Sequence, residues 1–184
     1  MFQVRIHGRG GQGVVTAAEI IAISAFNDGK QAQAFPSFGV ERTGAPIEAF
    51  ARIDEAPIRL REQVQNPDVL IVQDATLLGA VDLGKGCSDQ TIVIINTSKP
   101  VEEVEKFIKL PIKNIHCIDA TKIALDILGR NIVNTVIIGA FAKTTGYVSL
   151  DAVKKAVMEK FGEKGKEMVE KNVAAIVATF DINS

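Results

Sequence analysis

The sequence predicts an α/β fold, a Rossmann-like three-layer sandwich with a mostly parallel sheet and C-terminal helices. A glycine turn joins an apolar N-terminal strand to a helix, short apolar runs alternate with helical stretches in the middle of the chain, and the last third is helical. Continuous apolar runs of this kind are typical of parallel strands that are covered on both faces.

The first strand ends in a glycine-rich turn. The stretch from Gln3 to Gly13 reads QVRIHGRGGQG and contains the pattern G-x-G-x-x-G. Such glycines allow a tight turn and a close approach of a ligand to the backbone. The first N–H groups of the following helix would face this ligand, which favours an anion, most often a phosphate. The binding residues predicted in the turn are Gly8, Gly10, Gly11, Gln12 and Gly13.

One missing feature limits the kinds of ligand that the glycine turn is expected to bind. An NAD-type site needs an Asp or Glu about twenty residues further on, at the end of the second strand. The second strand is predicted at residues 31–35, and Pro36 and Ser37 follow it instead. A stand-alone nicotinamide enzyme is therefore disfavoured. A self-contained nucleotide-binding enzyme, or a turn that only packs a strand on a helix or contacts a protein, stays open.

Composition excludes several classes of partner. The 184 residues suit a single domain over residues 1–184, and their net charge is −1 with no Trp and one Tyr. A basic, aromatic surface for nucleic acid is absent from such a composition. No run approaches the roughly eighteen apolar residues that a membrane span needs. We therefore expect no nucleic acid and no membrane among the partners.

The two cysteines, Cys87 and Cys117, form no C-x-x-C pair. One chain with two thiols cannot supply the four thiolates of an iron–sulfur cluster or a structural zinc site. Free thiols are typical of a reducing compartment, so the sequence predicts a cytoplasmic protein.

The first helix is predicted from Val14 to Asn27, with Gly29 ending it in the left-handed conformation. Its residues are apolar nearly all round, which predicts burial on more than one side. In so small a domain, this pattern predicts a second covering layer from elsewhere, which another subunit could supply.

A turn-rich segment and an alternating strand come next. Residues 36–46 contain an exposed-looking Phe38 and a Glu41-Arg42-Thr43 cluster, and long loops of this kind often carry function. Residues 47–53 then alternate between apolar and other side chains. This pattern predicts a half-exposed strand at a sheet edge.

Three apolar runs, at residues 69–73, 91–95 and 115–118, predict buried parallel strands. They end at Asp74, at Asn96-Thr97-Ser98 and at Asp119, on the sheet edge where open α/β folds bind ligands. Asp74 can equally cap the turn that follows it, and turn chemistry explains the Asn-Thr-Ser sequence as well. The helices predicted beyond them lie at 120–128, 134–143, 150–161 and 166–180.

The glycine turn Gly8–Gly13, the loop Phe38–Pro46, Asp74, and Asn134 with Gly139 together resemble the gamma subunits of the 2-oxoacid:ferredoxin oxidoreductase family, those of pyruvate:ferredoxin oxidoreductase in particular. The resemblance implies one part of a multi-subunit enzyme that oxidatively decarboxylates pyruvate to acetyl-coenzyme A and passes electrons to ferredoxin. It implies alpha, beta and delta-type partner subunits, with thiamine diphosphate, Mg and 4Fe-4S clusters mainly on those partners. Relatives that act on 2-oxoglutarate, branched-chain 2-oxoacids or indolepyruvate share the GGQG turn.

For this chain the resemblance implies a supporting role without catalytic or metal-binding residues. The turn and the 36–46 loop are expected to face partner subunits near the path of coenzyme A, with Arg42 and Thr43 as further contacts to an anion or a subunit. Glu41-Arg42 is more typical of a loop ion pair or a subunit contact than of a substrate contact. His7 and His116 have no paired nucleophile or carboxylate by spacing, so packed histidines are expected.

Overall fold

The computed structural model describes residues 1–37 and 43–182, apart from the side chain of Ile112. Six strands form one sheet in the order β2-β3-β1-β4-β5-β6. Strands β1, β4, β5 and β6 run parallel, whereas β3 is antiparallel to both β1 and β2. Their bounds are Phe2–Arg9 for β1, Gln31–Pro36 for β2, Pro46–Asp54 for β3, Val69–Val72 for β4, Ile92–Asn96 for β5 and Ile115–Ile118 for β6.

The helices connect these strands and form the C-terminal part of the described chain. They are α1 (Val14–Asn27), α2 (Val101–Ile108), α3 (Ala120–Ile123), α4 (Val133–Thr145), α5 (Leu150–Phe161) and α6 (Lys166–Phe180). The helix predicted at 120–128 changes character halfway, because a π-helical turn, Ala124–Leu128, continues α3 and ends at a left-handed Gly129. None of the helices in the described part of the chain combines the length and apolarity that a membrane span needs.

Side chains of β4 show how the sheet divides the core into two layers. Val69 and Ile71 join the cluster that packs against α1 and α4, whereas Leu70 and Val72 join the cluster that packs against α2. All four are fully buried. This continuous apolar run, covered on both faces, confirms the parallel sheet that the sequence predicts.

Helix α1 is buried by its own chain, so the expectation that another subunit supplies its second layer is wrong. One side of α1 packs on β2 and β3, and the other side packs on α5 and α4. Its apolar residues therefore face the sheet and a second layer of helices. The physical reason is that α5 and α6 fold back over the first helical layer, which sequence periodicity does not reveal.

Strand β3 lies between β2 and β1, so its predicted place at a sheet edge is also wrong. Ala49, Ala51 and Ile53 face the α1 side and are fully buried, as the alternation predicts. The opposite face is buried too: Phe50 packs against Phe35 with 5.2 Å between the ring centres, and Arg52 is only 2% exposed. Arg52 donates to Glu62 O, so the segment after β3 covers this face.

Candidate functional site

The candidate site lies between the carboxyl ends of β1 and β4. From β1 the chain continues through α1 to β2 and β3 on one side, while β4, β5 and β6 extend on the other. Open α/β sheets bind ligands where the strand order reverses in this way. A cavity of about 340 Å³ opens at this point, lined by Gly11, Gln12, Gln73, Asp74, Ala75, Thr76, Asn96, Thr121, Asn131 and Val133.

The glycine turn has the backbone conformation that its sequence predicts. Gly11 and Gly13 have φ values of 92° and 70°, in the left-handed region that favours glycine. A Cβ atom on Gly13 would lie only 2.3 Å from Asn134 Nδ2, so the turn and the start of α4 approach closely. The glycines therefore serve both the turn and the packing of α4 against it.

Two helices begin beside the cavity. Gly13 precedes α1 and Ile132 precedes α4, and neither start has a side-chain cap among the described residues. The first N–H groups of a helix have no partners within the helix, and they carry the positive end of its dipole. Gly11 and Val133 line the cavity next to these two helix starts. This wall has the electrostatics that suit an anion.

The opposite wall carries a carboxylate. Gln12 Nε2 donates to Asp74 Oδ2 over 2.6 Å, and Arg9 Nε lies 3.5 Å from the same oxygen. Thr76 donates to Asp74 Oδ1 from its backbone N, 2.9 Å away, and from its hydroxyl, 2.6 Å away. The cap predicted for Asp74 is therefore confirmed.

The surroundings of Asp74 keep it ionised. Burial by itself raises the pKa of this carboxyl, but hydrogen bonds from Thr76 and Gln12 and the charge of Arg9 outweigh burial, so the pKa lies below its ordinary value. An ionised carboxylate repels a phosphate placed beside it. The anion suited to the helix starts would therefore lie toward Gly11 and Val133.

Gln73, just after β4, and Asn96, the last residue of β5, differ in their hydrogen bonding. Asn96 Nδ2 donates to Gln73 O and to Thr121 Oγ1, each over 2.9 Å, and Asn96 Oδ1 accepts from Thr121 N at 3.0 Å. Asn96 thus holds β4, β5 and α3 together. Gln73, in contrast, is 2% exposed, and its amide N and O have no hydrogen-bond partners within the described residues.

Sequence reasoning did not single out Gln73, Thr121 or Asn131, although all three line the cavity. The only signal available for Gln73 is a polar residue at the end of an apolar run, next to Asp74. Thr121 lies in α3 and Asn131 lies just before α4, and only the folded chain brings them to the glycine turn.

The end of the turn-rich loop is held against the glycine turn. Thr43 and Gly10 form a β-bridge, Gly44 N donates to Gly10 O, and Gly10 N donates to Ala45 O over 2.9 Å. Arg9 Nη1 adds a hydrogen bond to Gly44 O at 2.9 Å. The structure therefore brings Thr43 to the turn. Arg42, with Phe38 and Glu41, lies outside the described residues.

Neither histidine lines the cavity: His7 is packed in the core, and His116 is half-buried. His7 is 4% exposed, with Nδ1 3.6 Å from Glu48 Oε1. Burial and the nearby Arg5 lower the pKa of His7 to about 3, so this imidazole is neutral at pH 7. Burial also lowers the pKa of His116. Within the described residues, no three His, Cys, Asp or Glu side chains are grouped as a metal site requires.

Comparison with known sequences relates the chain to one family over almost its full length. The family described as "Pyruvate ferredoxin/flavodoxin oxidoreductase" matches residues 3–182. The pyruvate/ketoisovalerate oxidoreductases common subunit gamma of Pyrococcus furiosus is 53% identical over 95% of this chain and 93% of its own length. The pyruvate synthase subunit PorC of Methanocaldococcus jannaschii is 52% identical over 98% of this chain and 96% of its own.

A solved structure has the same fold. The pyruvate oxidoreductase subunit PORC of Thermotoga maritima is 39% identical to this chain and superimposes with a TM-score of 0.85, over 98% of this chain and 95% of that one.

Proposed function

The chain belongs to the pyruvate ferredoxin/flavodoxin oxidoreductase family, and on this basis we propose that it is the gamma-type subunit of a multi-subunit pyruvate:ferredoxin oxidoreductase. One observation carries the proposal: the relatives named as gamma or PorC subunits share about half of its residues over more than nine-tenths of both chains. We take residues 1–184 as a single domain of this type, working in the cytoplasm.

In the proposed complex this chain supports chemistry that takes place elsewhere. Alpha, beta and delta-type subunits would hold thiamine diphosphate with Mg and the 4Fe-4S clusters, and would deliver electrons to ferredoxin. Two cysteines are too few to ligate such a cluster on this chain, which supports that division of labour. The complex would convert pyruvate and coenzyme A into acetyl-coenzyme A.

We further propose that the glycine turn faces the coenzyme A path. The two helix starts beside Gly11 would take a phosphate of the coenzyme, and Thr43 lies against the same turn. Gly8, Gly10, Gln12, Gly13 and Arg42 complete the set of proposed contacts to the anion or to a partner subunit. Asp74 restricts the phosphate to the side of the cavity nearest the helices.

Co-purification tests the subunit assignment. The tagged chain is purified from its native cell without oxygen, and the co-purifying polypeptides and the visible spectrum are recorded. We expect larger partners and a brown absorbance near ~400 nm, typical of iron–sulfur clusters, that bleaches when pyruvate and coenzyme A are added. A colourless chain that purifies alone and binds nucleotides would instead establish the alternative, a self-contained nucleotide-binding enzyme.

A substitution in the turn tests the coenzyme contact. Gly11→Asp puts a negative charge beside the helix starts, so the KM for coenzyme A should rise at least about tenfold, while thiamine and cluster contents stay normal. Gly146→Asp is the matched control, because Gly146 also has a positive φ, 64°, but follows the far end of α4. Equal KM values in the two variants would contradict the contact.

The Pyrococcus furiosus relative is named as a subunit common to pyruvate and ketoisovalerate oxidoreductases. This name favours a gamma chain that is shared between enzymes with different 2-oxoacid substrates. We propose that this chain likewise does not select the 2-oxoacid. Bleaching the purified complexes with ketoisovalerate, 2-oxoglutarate and indolepyruvate as well as pyruvate tests this. Two sets of co-purifying catalytic subunits would support a shared gamma chain, whereas one set active on pyruvate alone would contradict it.

A further inference from the structure

We propose that Gln73 is a ligand-binding residue that recognises a neutral amide group, or another edge with a hydrogen-bond donor beside an acceptor, in the cavity between β1 and β4. The inference rests on the proposed function, because it identifies a second recognition element in the cavity where the coenzyme phosphate is placed.

The first argument is the cost of the conformation of Gln73 in the free chain. Its side chain is 98% buried, since only 2% is exposed, and neither Nε2 nor Oε1 has a hydrogen-bond partner in the described part of the chain. Each buried polar group left without a partner destabilises the folded chain, because it has lost its hydrogen bonds to water. Native proteins satisfy nearly all such groups, so a doubly unpaired amide beside a cavity indicates a function.

The second argument is that the neighbouring amides are already used. Gln12 accepts from Arg9 N through Oε1, at 2.7 Å, and donates to Asp74 through Nε2. Asn96 bonds with Gln73 O and Thr121 through both ends of its amide. Four side-chain amides line the cavity, and Asn131 among them is exposed to solvent. Within the residues described, Gln73 is the one of the four that is buried with both its donor and its acceptor unpaired.

The third argument concerns the charge of the ligand group. The ionised Asp74 follows Gln73 directly, so a second anion placed here would be repelled. A glutamine amide instead pairs with a partner that offers a donor beside an acceptor, as it does with the edge of adenine. An amide or a base edge, not a phosphate, is therefore the group that fits this wall.

Gln73 lies in the wall of the cavity, and its unbranched side chain has torsions that would let the amide turn toward a ligand. Gly8 leaves room beside the amide, because an ideal Cβ at Gly8 would lie 3.5 Å from Gln73 Oε1. Pairing with a ligand would recover the hydrogen bonds that the free chain lacks.

The amide could come from the arm of the coenzyme or from the main chain of a partner subunit, and one pair of variants distinguishes these sources. Gln73→Met keeps the length of the side chain and removes its donor and acceptor. Gln33→Met is the matched control, because Gln33 Oε1 is also buried without a partner but lies on β2, outside the cavity lining. Both variants are studied in the assembled complex.

If Gln73 binds the coenzyme, Gln73→Met raises the KM for coenzyme A roughly tenfold, and more than it changes kcat, which corresponds to the loss of about one hydrogen-bonded pair. If Gln73 binds a partner amide, the folded variant chain recovers less complex at equal subunit concentration. Either result supports the proposal, provided that Gln33→Met leaves both quantities unchanged. In both variants the melting temperature should stay equal or rise, because an unpaired buried amide is removed.

An unchanged KM together with unchanged assembly would overturn the proposal, whatever happens to the melting temperature. If Gln73→Met does not fold, Gln73→Leu repeats the comparison with a different apolar shape. The Gly11→Asp variant distinguishes a failure of the proposed role of Gln73 from a failure of the proposed coenzyme site. A raised KM in Gly11→Asp beside a normal KM and normal assembly in Gln73→Met contradicts only the role of Gln73. A normal KM in both variants contradicts the coenzyme site itself.

Discussion

Gln12 Nε2 donates a hydrogen bond to Asp74 Oδ2 over 2.6 Å, and this contact joins the turn after β1 to the turn after β4. Gln12 Oε1 accepts from the backbone N of Arg9 at the same time. One side chain therefore fixes the conformation of its own turn and its distance from the neighbouring strand. The shape of the cavity consequently depends on an ionised carboxylate at position 74.

Replacing Asp74 by Asn should change how stability depends on acid pH. The pKa of Asp74 is lower in the folded chain than in the unfolded one, so its stabilisation is present above about pH 4 and is lost as the pH falls through the folded value. Asp74→Asn should lose about 1 kcal/mol at pH 7, and the difference from wild type should shrink toward pH 2. Urea unfolding at several pH values measures this, and a difference independent of pH would contradict it.

Replacing His7 by Leu should change the pH dependence of stability in a different pH range. The pKa of His7 is about 3 in the folded chain, below its ordinary 6.5, so the unfolded chain takes up a proton first as the pH falls. The wild-type chain therefore loses stability between pH 6.5 and about 3, by roughly 1.4 kcal/mol per pH unit.

The His7→Leu variant lacks this group and should lose about 2 kcal/mol less than wild type between pH 6.5 and pH 5. Midpoints of urea unfolding at these two pH values provide the measurement. His116→Leu serves as a control, because His116 is only half-buried. Burial lowers the pKa of His116 as well, but without the nearby charge that also acts on His7. Parallel pH profiles for wild type and His7→Leu would show that His7 is not buried as described.

The β1-α1 unit shows how much of the fold could be predicted. The sequence places the start of α1 at Val14 and its end at Asn27, and the structure has both bounds. These features are local, because the glycines set the turn and a left-handed Gly29 follows the last helical residue. The apolar runs that became β4, β5 and β6 were equally local signals.

The position of β3 and the state of Gln73 could not be predicted, because both depend on distant parts of the chain. Alternation in β3 shows which residues share a face, but the pairing partners on either side are set by β1 and β2. The amide of Gln73 is unpaired within the described residues, while Gln12 bonds with Asp74 and Asn96 bonds with Thr121. The periodicity of the sequence does not show which of several amide side chains remains without a hydrogen-bond partner.

Arg5 should be a major determinant of stability on the face of the sheet opposite α1. It is 5% exposed, and its guanidinium donates to Leu83 O at 2.9 Å, to Lys85 O at 2.6 Å and to Gln65 O at 3.4 Å. Arg5→Met would leave these carbonyls without their donor, so the free energy of unfolding should fall by about 3 kcal/mol.

Arg5→Lys should recover less than half of that loss, because an ammonium group cannot donate along the several directions of a guanidinium fork. Arg130→Met is the control, since Arg130 is exposed and should change stability by less than about 0.5 kcal/mol. Denaturant unfolding of all three variants gives the comparison. Full recovery by lysine would mean that charge alone, and not the fork geometry, holds the segment.

Because Gly13 lies against Asn134, substituting Gly13 should reduce the stability of the chain more than substituting Gly11 does. Gly13→Ala forces an L side chain into φ 70° and brings its Cβ to 2.3 Å from Asn134 Nδ2. Backbone strain of about 1 kcal/mol and overpacking of about 1–3 kcal/mol should together reduce stability by about 3 kcal/mol. Gly11→Ala has comparable strain, at φ 92°, but its nearest neighbour, Thr43 Cγ2, lies 4.0 Å away.

Gly11→Ala should therefore cost only about 1 kcal/mol, and the difference between the two variants isolates the close approach of α4. A double variant, Gly13→Ala with Asn134→Ala, should be more stable than the sum of its single losses predicts, by about 1–2 kcal/mol, because the overlapping atoms are gone. Urea unfolding of the four chains completes the cycle. Additive losses, or equal losses at the two glycines, would mean that α4 relaxes away from the turn at no cost, and the cavity wall formed by both helix starts would then be loose rather than fixed.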